Sequence, residues 1–323
     1  MTTTWSADDA LIRKQIWEGA IPTVINIHSD QIASFQQPFP YYVMIPRQSY
    51  LSLLIERVKS HFSDFVSGFD SDQLWFSFNS IPMQWHVPAG VLYDLMGILD
   101  PDSLKLPWSL VANFGGNFPS DTVVRCNSEE DAQWNHLNNI KECMYIRFNS
   151  TSAMMTLSNE DQKELWQTVK TQNEQSFSKL LEKIKQGSKI SSVDDMVYAI
   201  RVYTPIKKQG LGNKEGGGGE FSTTTHNGHD SSRKKGENAL KYKKNMICVK
   251  REVAKGLTLQ KFLDQYVIPR LKKIGYFGDQ EEGEAVTIER AVVQGVEPHR
   301  ETELMWLIEN CAHPDGFLYM CCK

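Results

Sequence analysis

Apolar residues along the first third of the chain switch repeatedly between helical spacing and strand alternation, and each switch marks an element. Ser6 followed by Asp9 reads as a helix start, with Leu11, Ile12 and Ile16 as its apolar face and Gly19 as its stop. Ile21 to Ile27 and Tyr41 to Ile45 read as strands on either side of a polar turn. Tyr50, Leu53, Leu54, Val58, Phe62 and Phe65 then fall at helical spacing through Val66. Leu74 to Phe78 and Met83 to Trp85 are short strands, Pro88 suits the first turn of a helix over Ala89 to Met96, and Trp108 to Phe114 is a last strand. The order ββαββαβ is that of a β-grasp, in which a small mixed sheet buries its apolar side under one long helix.

The same order returns after Val193. Met196 to Tyr203 and Met246 to Val253 read as strands, and Thr258 caps a helix carrying Leu259, Phe262, Leu263, Tyr266 and Val267 through Leu271, which Pro269 kinks or ends. Ala285 to Val293, a short helix around Glu303 to Ile308, and Phe317 to Met320 complete the second set. Between the two sets, Asn127 or Ser128 before Glu129, Glu130 and Asp131 starts one helix. Ser158 before Glu160 and Asp161 starts a second, which carries Leu165, Trp166, Val169, Leu180, Leu181 and Ile184 and stops near Gly187. The expected fold is therefore α+β: two ubiquitin-like β-grasp domains flanking a helix-rich middle domain, with an N-terminal helix. The divisions fall at 1–20, 21–125, 126–192 and 193–323.

One stretch breaks the pattern. Residues 207–244 hold Gly216 to Gly219, Thr223 to Thr225 and a Ser-Ser-Arg-Lys-Lys run, too little apolar surface to offset about 1–2 kcal/mol of backbone ordering per residue. They read as a disordered insertion in the second β-grasp domain. Nine basic against four acidic residues give it a net charge of +5, which leaves −9 on the remainder of a chain whose net charge is −4. A whole-chain attraction for nucleic acid or anionic lipid is thereby excluded.

Composition adds limits. The length of 323 residues allows two or three compact units, and 41% hydrophobic with 23% charged residues rules out a wholly disordered or collagenous chain. No apolar run approaches the 18 or so residues of a membrane span. Met1 to Ala10 lacks the basic and apolar regions of a secretory signal, so a cytoplasmic, reducing setting is expected. Six unevenly spaced cysteines (Cys126, Cys143, Cys248, Cys311, Cys321, Cys322) fit free thiols better than a disulfide framework.

Candidate chemistry is sparse. His136 and Cys143, seven residues apart on one predicted helix, stand about 10 Å apart and cannot pair. Cys311, His313, Cys321 and Cys322 lack the spacing of a zinc site, and no phosphate-binding glycine loop or nucleophile elbow is present. No metal, cofactor or catalytic centre is expected. Lys141 stands out, because the apolar stripe Trp134, Leu137, position 141, Met144, Phe148 places it in a core-facing register. Such a lysine ordinarily snorkels to water. Partly desolvated, it would instead hold more of the neutral amine that acyl transfer requires, and so be an acylation acceptor.

Several stretches together resemble the autophagy protein 5 family. They are Ile16-Trp17-Glu18-Gly19-Ala20-Ile21-Pro22, Pro40-Tyr41-Tyr42 with Ile45-Pro46-Arg47 and Ser49-Tyr50-Leu51, Leu74-Trp75-Phe76 with Pro82 and Trp85-His86, and Leu106-Pro107-Trp108. Near the end stand Gly295-Val296-Glu297-Pro298, Trp306-Leu307 and His313-Pro314-Asp315-Gly316-Phe317-Leu318. The resemblance covers nearly the full length, and the basic insertion has no counterpart in it. It implies an isopeptide bond between a lysine of the middle region and the C-terminal glycine of the ubiquitin-like autophagy protein 12, which the match over Asn139-Ile140-Lys141-Glu142-Cys143-Met144 places on Lys141. It further implies a helix of autophagy protein 16 bound in a groove, and a ligase-like complex that promotes transfer of autophagy protein 8 to phosphatidylethanolamine, with peripheral contact to preautophagosomal membranes. The chain would be a scaffold without its own catalytic centre. Rival readings are a non-conjugated ubiquitin-fold adaptor, a modifier ending at Gly115-Gly116, and a thiol acyl-transferase using Cys143 or Cys311. Because loop length weighs little on stability, deleting residues 210–235 is expected to shift chemical-denaturation stability by no more than about 1 kcal/mol; a larger loss would show that the insertion packs.

Overall fold

The computed structural model describes residues 7–66, 74–114, 118–187, 193–205, 242–274, 276 and 286–323. Ser6, Gly115, Gly116 and residues 207–241 of the insertion lie outside them. The chain opens with α1 (Ala7–Glu18), whose Trp17 is buried while Leu11 stays 54% exposed. The expected Leu11-Ile12-Ile16 face is thus corrected in part: Ile16 packs on the second core, Leu11 does not, and Trp17 adds a second contact, its ring 5.1 Å from Phe177, while Trp306 donates a 2.8 Å hydrogen bond to Asp9.

The first sheet holds β1 (Ala20–Ile27), β2 (Tyr41–Pro46), β3 (Trp75–Phe78), β4 (Ile81–Pro82) and β5 (Trp108–Asn113) in the order β2-β1-β5-β3-β4. β1 runs antiparallel to β2 and parallel to β5, with Ile25 opposite Leu110. Alternation along β1 buries Ile21, Thr23, Ile25 and Ile27 on one face. Beneath that face lie a 3₁₀ turn (Leu51–Leu54) running into α2 (Ile55–Phe62), and α3 (Ala89–Leu99). β4 begins two residues before the expected Met83, because Asn79 and Ser80 both take positive φ (46° and 63°) and close the hairpin in two residues.

The middle region comprises α4 (Glu129–Phe148), α5 (Ser152–Met155), α6 (Asn159–Thr171) and α7 (Glu174–Gly187). The second expected helix is therefore two: the chain turns at Gln172, φ 55°, whose N–H bonds back to the Thr168 carbonyl.

The second sheet, β6 (Val197–Pro205), β7 (Tyr242–Lys250), β8 (Ala291–Val292) and β9 (Leu318–Cys322), is ordered β7-β6-β9-β8 and repeats the parallel central pair of the first. Its companions are α8 (Arg251–Ala254), α9 (Leu259–Phe262), α10 (Ile268–Lys273) and α11 (Leu304–Cys311). β7 takes in Tyr242, Lys243 and Lys244, three residues that the sequence pattern assigns to the insertion. These residues pair with Pro205, Thr204 and Tyr203, and the lysines lie exposed on an edge strand. Pro269 does not end its helix. A π turn over Leu263–Val267 widens the preceding turn, and the helix continues to Lys273.

The two units share a core. β6 is buried at every position from Tyr198 to Thr204. One face (Tyr198, Ile200, Val202) packs on Phe262, Leu271 and Leu307, whereas Ala199 and Tyr203, with Tyr319 and Cys321 of β9, join the core of the first unit. A strand covered on both sides shows no in-out alternation, and here the apolar run is broken only by Arg201 before Thr204. A polar clasp closes the same seam: Arg47 lies 2.5 Å from Asp94, which also accepts a 2.9 Å hydrogen bond from the Gly295 N–H. Gly295 has φ +82°, and a Cβ there would stand 2.8 Å from the Arg47 guanidinium carbon. Gly295→Ala is expected to cost about 2 kcal/mol or more in urea denaturation, from left-handed backbone strain plus displacement of a buried ion pair. An unchanged midpoint would contradict this clasp.

Candidate functional site

The helix α4 bears most of the residues singled out by sequence. Three acids in its first turn, Glu129, Glu130 and Asp131, suit the positive end of the helix, and Asp131 accepts a 2.8 Å hydrogen bond from the Asn127 N–H. Ser128 at the cap position makes no side-chain capping bond. Further along, Ala132, His136, Leu137, Ile140, Cys143 and Met144 form the buried stripe. Of the expected stripe, Leu137 and Met144 are buried and Phe148 packs on the same core, whereas Trp134 is 60% exposed, so the true stripe is rotated from the expected one. Lys141 sits at the margin of the buried face, not within it. Its side chain is half-buried and its ammonium stands 5.8 Å over the Trp134 ring centroid.

Under α4 lies a buried polar junction that sequence reasoning missed. Arg201 of β6, its side chain only 5% exposed, donates hydrogen bonds to the Tyr319 hydroxyl (2.8 Å), Glu142 (2.8 Å) and Asn139 (3.1 Å). Its guanidinium lies 3.6 Å from the Phe317 ring centroid and 3.8 Å from Asp315. Asp315 is fully buried, accepts from the Tyr319 hydroxyl at 2.6 Å, and caps its own turn by accepting from the Phe317 N–H. Burial alone would raise its carboxyl. The His313 imidazole, by charge and hydrogen bonding, together with Arg201 outweighs burial and holds it well below the usual carboxylate range.

The junction continues into the first unit. His313 donates through Nε2 to the Gln48 carbonyl (2.9 Å), and its ring meets Tyr50 edge-on at 5.8 Å. The Tyr50 hydroxyl shares a 3.0 Å hydrogen bond with His136, and Trp166 stacks on Tyr50 at 6.1 Å. Residues of all three regions thus meet around α4. Gly316, φ +89°, brings its backbone against the helix so closely that a Cβ would stand 2.6 Å from Cys143 Sγ. Arg147 donates to the Gly316 carbonyl at 3.1 Å.

The remaining candidates are dispersed. Cys143 and Cys311 are buried; burial pushes the first thiol up and the second to about 12, which leaves neither as a thiolate nucleophile near neutral pH. Cys321 and Cys322 face opposite sides of β9, in different cores. Among the described residues no group of three or more His, Cys, Asp or Glu is placed to hold a metal ion, and no helix is long and apolar enough to cross a membrane. Gly115 and Gly116 lie outside the described residues.

Three consecutive stretches match descriptions of one family: residues 16–114 match "Autophagy protein ATG5, UblA domain", 129–187 its "alpha-helical bundle region", and 198–322 its "UblB domain". The chain belongs to the autophagy protein 5 family. Autophagy protein 5 of Arabidopsis thaliana is 35% identical over 175 residues, covering 54% of this chain and 50% of that protein. The Oryza sativa subsp. japonica protein is 33% identical over 183 residues, 57% and 46% of the two chains. The match thus spans about half the length of these plant relatives. The Drosophila melanogaster protein is 26% identical over 97% of both chains. The crystal structure of Kluyveromyces marxianus Atg5 superposes with a TM-score of 0.68 at 18% identity, over 97% of this chain and 100% of that one, and so shares the fold.

His136 gives the junction a measurable pH dependence. Burial drives its imidazole down to about 3, with Asp315 opposing and His313 adding to the effect. Between that value and about 6.5 the unfolded chain binds a proton that the folded chain refuses, so stability falls as pH falls, by about 1.4 kcal/mol per unit from this group. His136→Gln is expected to flatten the slope of unfolding free energy between pH 6.5 and 5 by about that amount. An unchanged slope would contradict a neutral, buried His136.

Proposed function

We propose that this family member acts as an autophagy scaffold conjugated at Lys141 to the ubiquitin-like autophagy protein 12. It binds a helix of autophagy protein 16 and contributes to a ligase-like complex that promotes autophagy protein 8 lipidation on phosphatidylethanolamine and autophagosome formation. The cytoplasm and the periphery of preautophagosomal membranes are its places of action. The observation that carries the reading is the position of Lys141, half-exposed on a long helix whose opposite side is clamped by both β-grasp units. An acceptor of this kind must reach an acyl donor while its backbone stays still.

The chemistry asks little more of this chain. The ammonium gives up a proton, the free amine attacks the carbonyl of the modifier's C-terminal glycine carried as a thioester, and the new C–N bond replaces the C–S bond. The sulfur takes up the second amine proton and leaves as thiol. The activated donor supplies the driving force, which suits a subunit that contributes shape in place of a nucleophile.

Lys141→Arg is expected to abolish the higher-mass conjugate on blots of starved cells while thermal midpoint and partner-helix binding stay unchanged. Persistence of the conjugate would refute Lys141 as acceptor. A wild-type chain that never shifts in mass would favour the non-conjugated ubiquitin-fold adaptor.

A further inference from the structure

Arg201 belongs to the second β-grasp unit, yet two of its hydrogen bonds end on α4 at Asn139 and Glu142, which bracket Lys141. We propose that Arg201 is a positioning residue for Lys141: it fixes the rotation of α4 and with it the direction in which the acceptor amine is offered. The proposal rests on the reading of Lys141 as acceptor.

The guanidinium is well suited to this. On its inner side it is held by the Tyr319 hydroxyl, the Phe317 ring and the fully buried Asp315, all from the 313–319 segment. That leaves one edge of a rigid planar fork to reach α4. Asn139 and Glu142, three residues apart, occupy one turn of one face. At 100° per residue, Lys141 projects roughly 130° around the helix from their mean direction. The clamp therefore never touches the amine and leaves it free for a donor. A second hold lies one turn on, where Gly316 abuts Cys143 and Arg147 bonds the Gly316 carbonyl. Rotation of α4 about its axis breaks both holds together. The amine stands at the end of a long side chain, so a small rotation becomes a displacement of an ångström or more, and a misplacement of about 1 Å can cost on the order of 100-fold in rate. Competence of the middle region as an acceptor thus depends on the second β-grasp unit being seated.

Glu142 is the safer place to test this. Its side chain is 46% exposed, and its removal leaves Arg201 still paired with Asp315 and Tyr319. The full-length chain is mixed in single turnover with autophagy protein 12 carried as a thioester on its conjugating enzyme, and α4 is followed separately by hydrogen exchange. Glu142→Gln is expected to lower the maximal rate about 10-fold, and Asn139→Ala with Glu142→Gln about 100-fold. The half-saturating concentration and thermal midpoint stay near wild type, while exchange quickens within 138–145. A merely structural role for the clamp would move the midpoint and not the maximal rate. Unchanged exchange would overturn the clamp, and unchanged rates with quickened exchange would overturn its positioning role. A wild-type chain that forms product elsewhere than Lys141, identified by the branched peptide, would instead overturn the acceptor reading and the proposal with it.

Discussion

A guanidinium buried where the second β-grasp unit meets the central helix is the constraint on which the remaining architecture depends. Arg201 enters from a strand covered on both faces and is compensated by a carboxylate and a phenol from the last segment and by a carboxylate and an amide from the central helix. A buried pair of this kind adds little net stability over a well-packed apolar alternative. Removing its fully enclosed carboxylate, Asp315, leaves an uncompensated charge, at about 3–5 kcal/mol. Its role is therefore one of arrangement: moving the helical region or the last β-grasp segment away strands a charge in the interior.

The apolar cores impose the same condition. The second sheet offers one face to its own helices and the other to the first unit, so Tyr203, Phe317, Tyr319 and Cys321 belong to the neighbour's core as much as to their own sheet. Each large apolar side chain buried there contributes about 1.5–3 kcal/mol that neither unit would retain alone. Two β-grasp units in one chain thus serve as jaws, and α4 lies where they meet, with its buried stripe inward and Lys141 outward.

What was legible in the sequence was local. Alternation along Ile21 to Ile27 and the capping serines and threonines set the element order, because neighbours in sequence decide those features. The junction was not legible, since Arg201, Asp315 and Glu142 are brought together only by the tertiary fold. One signal did exist: the run from Tyr198 to Thr204 shows no alternation and carries an arginine, which together indicate a strand covered on both sides with an internal ion pair. The expected α4 stripe shares with the true one only the edge formed by Leu137 and Met144, because at 100° per residue Trp134 and Lys141 project more than 100° from the centre of the buried face. The break at Gln172 leaves no mark in the sequence, because a glutamine carries no strong stop signal. The lysines of β7 carry no strand signal, because charge on an edge strand looks like charge in a loop.

Cohesion of the three regions is the claim most exposed to direct measurement. Scanning calorimetry of the intact chain at neutral pH should give one transition whose calorimetric and van't Hoff enthalpies agree, because helices and sheets that share a core and a buried charge unfold together. Two or more separable transitions, each with its own enthalpy, would mean that the units stand on their own and that nothing buried between them holds α4 in place.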